Sequence, residues 1–260
     1  MKNQYYGDIN DYKKYSLIRH LTGEGELEAA VCWVLTEDDN LSDGSKIDYL
    51  MNPEKWRRYD PVVFEQLRND ILIRGLRRVE NLEHSKILSN CRFYTQPIKD
   101  EVKERDRFFD EFYRFSKDVD LIFFVPDNGL EIKSVPRGRT KSSKYLYWNE
   151  LKLFYNKGSS ILLYQHFPRQ NREHYINNII DRVFESTKVD VVFSYVTSHV
   201  LFLLIAQLEH ESFFRMRNTT ITINWRDQIK IKEHYRDSQK NIITMKYTNL
   251  TTRSKVRESL

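Results

Sequence analysis

Asp120-Leu-Ile-Phe-Phe-Val-Pro-Asp-Asn-Gly-Leu-Glu-Ile-Lys133 narrows the possible folds more than any other stretch of the chain. Residues 120–125 form a short apolar run, rich in aromatics and opened by an aspartate. Pro126-Asp127-Asn128-Gly129 stops it abruptly. A run of this length, closed by Pro and Asn-Gly, reads as a buried strand ending in a tight turn. Pro126 has no N–H to offer a neighbouring strand, so regular pairing ends there. Asp127, Asn128 and Glu131 then fall at or just beyond the strand's carboxyl end. That edge is where open α/β sheets bind ligands. The competing reading is a plain hairpin, with Asp-Asn-Gly as its turn and residues 130–135 as the returning strand.

The flanking sequence repeats the pattern. Residues 29–35 and 160–167 are apolar runs that end in polar groups, 189–196 reads as a third strand, and 200–206 as a strand returning beside it. Residues 11–21, 101–117, 144–156 and 171–186 carry apolar side chains at helical spacing, and 53–88 is largely helical with Asp60-Pro61 opening one helix. Phe108, Phe109, Phe112, Tyr113 and Phe115 make an aromatic stripe that belongs to the core. Residues 219–225 alternate and read as a strand; beyond Trp225 the pattern weakens. Strands and helices in alternation argue for βαβ units. The expected fold is α/β: a three-layer, Rossmann-like sandwich, mostly parallel, with helices on both faces. Residues 1–225 form one domain and 226–260 a basic C-terminal extension.

Three polar clusters follow apolar strands. They are Thr36, Asp38, Asp39, Asp43 and Lys46; Asp127, Asn128 and Glu131; and Gln165, His166 and Arg169. If those strands are parallel neighbours, all three clusters share one sheet edge and outline a pocket. His166 stands at a strand end inside such a cluster, as a general base, a phosphate ligand or a structural hydrogen-bonder.

Charge adds a direction. The chain carries +5 overall, but residues 215–260 hold eleven Lys/Arg against four Asp/Glu, a net +7, so the remainder is slightly acidic. With the loop Pro136-Arg-Gly-Arg-Thr-Lys-Ser142, this basic character points to nucleic acid or another polyanion; a solvated face is the alternative. Arg137, Arg139, Lys141 and Arg169 are the expected phosphate contacts. Two cysteines cannot build a disulfide framework or a zinc cage. No run approaches the roughly 20 apolar residues of a spanning helix, and no secretory h-region opens the sequence, so the expected compartment is the cytoplasm.

From Asp120 onward, the order strand–turn–helix–strand–helix–strand–strand resembles the second half of Rossmann-like S-adenosylmethionine-dependent methyltransferases. In their amino-methylating members a strand ends in an Asp/Asn-Pro-Pro-aromatic motif that grips the target amine, and the matching place here reads Val125-Pro126-Asp127-Asn128. Gly7-Asp-Ile-Asn-Asp11-Tyr-Lys-Lys-Tyr15 is similar to the Gly-Asn-x-x-Asp-x-x-Lys-His opening of the adenine-methylating ribosomal RNA enzymes. The three-Cys-motif partner proteins share the layout more distantly. The resemblance implies S-adenosylmethionine beside Thr36, Asp38 and Asp39, with Asp127, Asn128 and His166 as catalytic groups acting on nucleic acid. It also implies a Gly-rich loop after the first strand, and here Thr36-Glu-Asp-Asp stands there, with Val125 at the first motif position.

Two other readings stay open. A non-catalytic nucleic-acid or protein binding module can share the fold. Pro126-Asp127 and Glu131-Ile-Lys133 also resemble the Pro-Asp…Glu-x-Lys signature of restriction-type nucleases, in which carboxylates hold a divalent metal and the lysine orients water. There, Asp127 and Glu131 are separated by only a tight turn.

Overall fold

The computed structural model describes residues 1–38, 44–225, 227–237, 239 and 241–247. Asp39 and Asp43 of the first polar cluster lie outside them, as do residues 248–260 of the basic extension.

One eight-stranded sheet runs through the molecule. Its parallel half is β1 (Ala29–Cys32), β2 (Cys91–Tyr94), β3 (Leu121–Phe124) and β6 (Ser160–His166), in the order β6-β3-β1-β2. The run at 120–125 is the inner strand β3, paired in parallel with both β1 and β6. Its side chains alternate between two cores: Leu121, Phe123 and Val125 pack on one face, Ile122 and Phe124 on the other. Both faces are dry, which is why the sequence shows a continuous apolar run.

The second half departs from the expected parallel sheet. β8 (Val200–Ile205) returns antiparallel and inserts between β6 and β7 (Val191–Val196). β9 (Lys230–Arg236) then pairs antiparallel with β7, and β10 (Ile242–Lys246) with β9. The sheet is therefore mixed, not mostly parallel. The connection from β7 to β8 is too short to carry a crossover helix, so β8 must run back antiparallel. Residues 230–246, read from sequence as part of an extension, complete the sheet.

Helices cover both faces. α1 (Ile9–Leu21), α3 (Pro61–Arg68) and α8 (Glu211–Trp225) pack on one core; α5 (Val102–Phe115), α6 (Trp148–Asn156) and α7 (Arg172–Thr187) pack on the other. The short helices α2 (Pro53–Trp56) and α4 (Glu80–Ser85) lie in the β1–β2 connection. Residues 219–225, expected as a strand, are the last turns of α8. Phe214, Asn218, Ile221 and Trp225 share its buried side at helical spacing. The Thr-Ile alternation reflected β-branched composition, and strand propensity yields to packing.

The hairpin alternative after β3 is also corrected. β4 (Gly129–Leu130) pairs in parallel with β5 (Tyr145–Leu146), not with residues 131–135. That pairing holds the turn against the segment preceding α6.

Candidate functional site

Because β1, β3 and β6 are parallel neighbours, their carboxyl ends lie side by side. A cavity of about 410 Å³ opens there, and its lining includes Asp8, Asp11, Lys14, Asp127, Tyr164 and His166.

Two separate segments build its floor. The first is the start of α1. Gly7 takes a left-handed backbone (φ 84°), and a Cβ there would lie 2.7 Å from the Ile71 side chain, so both conformation and space demand glycine. Asp8 caps the helix, accepting from the Asn10 N–H at 2.6 Å. Burial, with Asp11 nearby, raises the Asp8 carboxyl to about 6. Asp11 accepts from the Lys14 ammonium at 2.7 Å, the Tyr15 hydroxyl at 2.6 Å and the Gly7 N–H at 3.3 Å. Lys14 and Asp11 are each only 2% exposed, so this is a fully desolvated pair. The lysine's charge also lies 4.6 Å from the centre of the Tyr164 ring.

The second segment is the turn after β3. Asp127 accepts from the Thr36 hydroxyl at 2.8 Å and pairs with the Met1 amino group at 2.6 Å. Burial alone would raise its carboxyl; the ammonium and the hydroxyl outweigh that and hold it below its ordinary value. Asn128 is fixed through its backbone, its N–H donating to the Lys144 carbonyl at 2.9 Å and its carbonyl accepting from Gln165 at 3.1 Å. Gly129 (φ 104°) lies against the Gln165 carboxamide, where any Cβ would overlap it.

Asp127, Asn128 and His166 thus line one cavity, with Thr36 touching it through Asp127. His166 Nε2 lies 3.2 Å from the Tyr164 hydroxyl. Other expected site residues fall elsewhere. Asp38 is exposed and accepts from the Gln4 N–H at 3.2 Å, and Arg169 is exposed away from the cavity.

The basic loop is the largest correction. Arg137, expected on phosphate, pairs with Asp106 and lies 3.2 Å from Glu150, which Arg105 already holds at 2.6 Å. The backbone N–H of Lys141 is tied to Asp100 at 2.8 Å. None of Arg137, Arg139 and Lys141 lines the cavity. The loop is pinned to α5 and α6 because the Arg105–Glu150 pair is buried and recruits further charge. Lys46, a member of the first polar cluster, does reach the cavity; Lys14 and Lys144, which also line it, were not expected as site residues. For Lys14 a signal existed: it stands three residues after Asp11, the spacing of a helical ion pair.

The place where the resemblance implies a Gly-rich loop for S-adenosylmethionine is filled by the chain itself. Trp33-Val34-Leu35-Thr36 follows β1 without a glycine, and Val34 holds a left-handed backbone (φ 46°). The Met1 amino group donates to the carbonyls of Val34 (3.1 Å) and Val125 (3.2 Å). The Thr36 N–H donates in turn to the Met1 carbonyl at 2.8 Å. These residues do not fit the cofactor as the resemblance places it. For the nuclease signature, Glu131 donates its backbone N–H to Leu146, Lys133 is exposed, and neither lines the cavity with Asp127. Among the described residues no group of three His, Cys, Asp or Glu is arranged to hold a metal ion. No helix among them is long and apolar enough to cross a membrane.

No protein-family profile matches the chain, and no curated protein matches it.

Proposed function

We propose that this chain is a methyltransferase-like protein that binds nucleic acid at the carboxyl edge of its sheet, with a cofactor site that has degenerated. One observation carries the reading. The two segments on which the resemblance rests, around Asp8–Lys14 and around Asp127–Asn128, line a single cavity although more than a hundred residues separate them. Their carboxylates are engaged inside the protein: Asp8 by the helix N-terminus, Asp11 by Lys14, and Asp127 by Thr36 and the Met1 amino group. What the cavity has left to offer a ligand is therefore positive charge, which suits a polyanion.

The filled segment after β1 argues against methyl transfer from S-adenosylmethionine. A thermal-shift titration with S-adenosylhomocysteine, run beside salt-dependent oligonucleotide binding, separates the two readings. The expected result is no stabilisation by S-adenosylhomocysteine and oligonucleotide affinity that falls with salt. A ligand at a hundred times its Kd would stabilise by about 2.7 kcal/mol. A shift of that order would make the chain a cofactor-binding methyltransferase instead.

A further inference from the structure

Lys46 and Lys144 come from distant parts of the chain and line the same cavity. Each is held there by its backbone. The Lys46 carbonyl accepts from the N–H of Ile9, the first residue of α1, at 3.0 Å. The Lys144 carbonyl accepts from the N–H of Asn128 at 2.9 Å. The two lysines are thus fixed to the two segments that form the cavity floor, and the charge of Lys46 reaches Asp8 without pairing with it. Among the described residues, neither ammonium has a hydrogen bond or an ion pair. Lys14, deeper in the cavity, is already committed to Asp11.

We infer that Lys46 and Lys144 form a phosphate subsite, and that it, not the Arg137–Lys141 loop, receives the backbone of a single-stranded nucleic acid. This rests on the nucleic-acid reading above and names the part of the ligand that the cavity holds. Two ammonium groups lining one cavity whose carboxylates are engaged by other partners give it a positive potential that draws in an anion. A phosphate supplies that charge and several acceptors. His166, exposed at the end of β6, lines the same cavity and packs edge-on against the buried Tyr164 ring, so a ring stands beside the lysines where an unstacked base can rest. A duplex carries its phosphates on a stiff convex surface and cannot follow them into a concave cavity, whereas a flexible strand can. Arg139 and Lys141 are exposed on a loop that does not reach the cavity, and Arg137 is consumed by Glu150 and Asp106.

The test is a salt titration of binding to a short single-stranded oligonucleotide, with inorganic pyrophosphate as a second ligand. It compares the unaltered protein, Lys46→Ala/Lys144→Ala, and Arg139→Ala/Lys141→Ala. Each phosphate contact on a single strand contributes about 0.7 to the slope of log affinity against log salt, so losing both lysines should flatten the slope by roughly 1.4. Lys46→Arg/Lys144→Arg should restore it, and Arg139→Ala/Lys141→Ala should leave it unchanged. The arginine pair also guards against a folding defect, since it keeps both charges. If pyrophosphate binds with the same lysine dependence and the oligonucleotide does not, the phosphate subsite stands and the nucleic-acid reading falls. An unchanged slope in Lys46→Ala/Lys144→Ala, or no binding of either ligand by the unaltered protein, overturns the subsite.

Discussion

The side-chain oxygen of Gln165 accepts a hydrogen bond from the backbone N–H of Leu130 at 2.7 Å, clamping the end of β6 to the turn that follows β3. The same carboxamide donates to the Asn128 carbonyl at 3.1 Å and is 3% exposed. The shape of the Asp127–Asn128 turn is thus set from a neighbouring strand. Gln165→Leu keeps the volume but strands a buried N–H, which costs about 1–3 kcal/mol. Gly129→Ala, which drives a methyl into the carboxamide at positive φ, should also destabilise the turn. Urea unfolding measures both. Equal stability of Gln165→Leu and the unaltered protein would show that the clamp contributes nothing.

Asp8 gives stability a pH dependence of definite sign. Its folded-state value of about 6 lies above the 3.8 of an unhindered aspartate, because of burial first and the Asp11 charge second, with Lys14 and Lys46 offsetting part of the shift. The folded chain holds this proton more tightly than the unfolded one. Its contribution is therefore complete below pH 3.8 and is lost as pH rises through 6. The full span amounts to about 3 kcal/mol. Asp8→Asn keeps a helix cap and removes the titration. Relative to the unaltered protein, the variant should gain stability between pH 4 and 6 and hold a constant advantage above that. A stability difference that does not change with pH would mean that Asp8 titrates normally.

Arg137→Ala should weaken the fold and leave nucleic-acid binding alone. The guanidinium bridges Asp106 on α5 and the buried Glu150 on α6. Because the arginine itself is partly exposed and Glu150 keeps Arg105, the loss should be about 1–2 kcal/mol. Arg139→Ala, on an exposed side chain, should change stability by less than about 0.5 kcal/mol. Chemical denaturation of the two single variants checks the order. A larger effect at Arg139 would reverse this account of the loop.

The sequence by itself determined the inner strand at residues 121–124, its stop at Pro126 and most of the helices. These rest on local facts: the length of an unbroken apolar run, the period of a helix and the missing N–H of proline. It also brought Asp127, Asn128 and His166 to one edge, since parallel neighbours end on the same side. Tertiary structure alone decided the rest. The place of β9 beside β7 depends on pairings such as Val192 with His234, which no local window contains. Residues 219–225 became helix because Ile221 and Trp225 found a core to fill. Charges were the least legible of all. A lysine, arginine or aspartate has the same letter whether it meets water or a partner, and desolvation is set by residues far along the chain. Glu150 and Asp106 turned Arg137 into a structural brace, Thr36 reached Asp127 across 91 residues, and Lys46 and Lys144 were carried to the cavity by backbone bonds to Ile9 and Asn128.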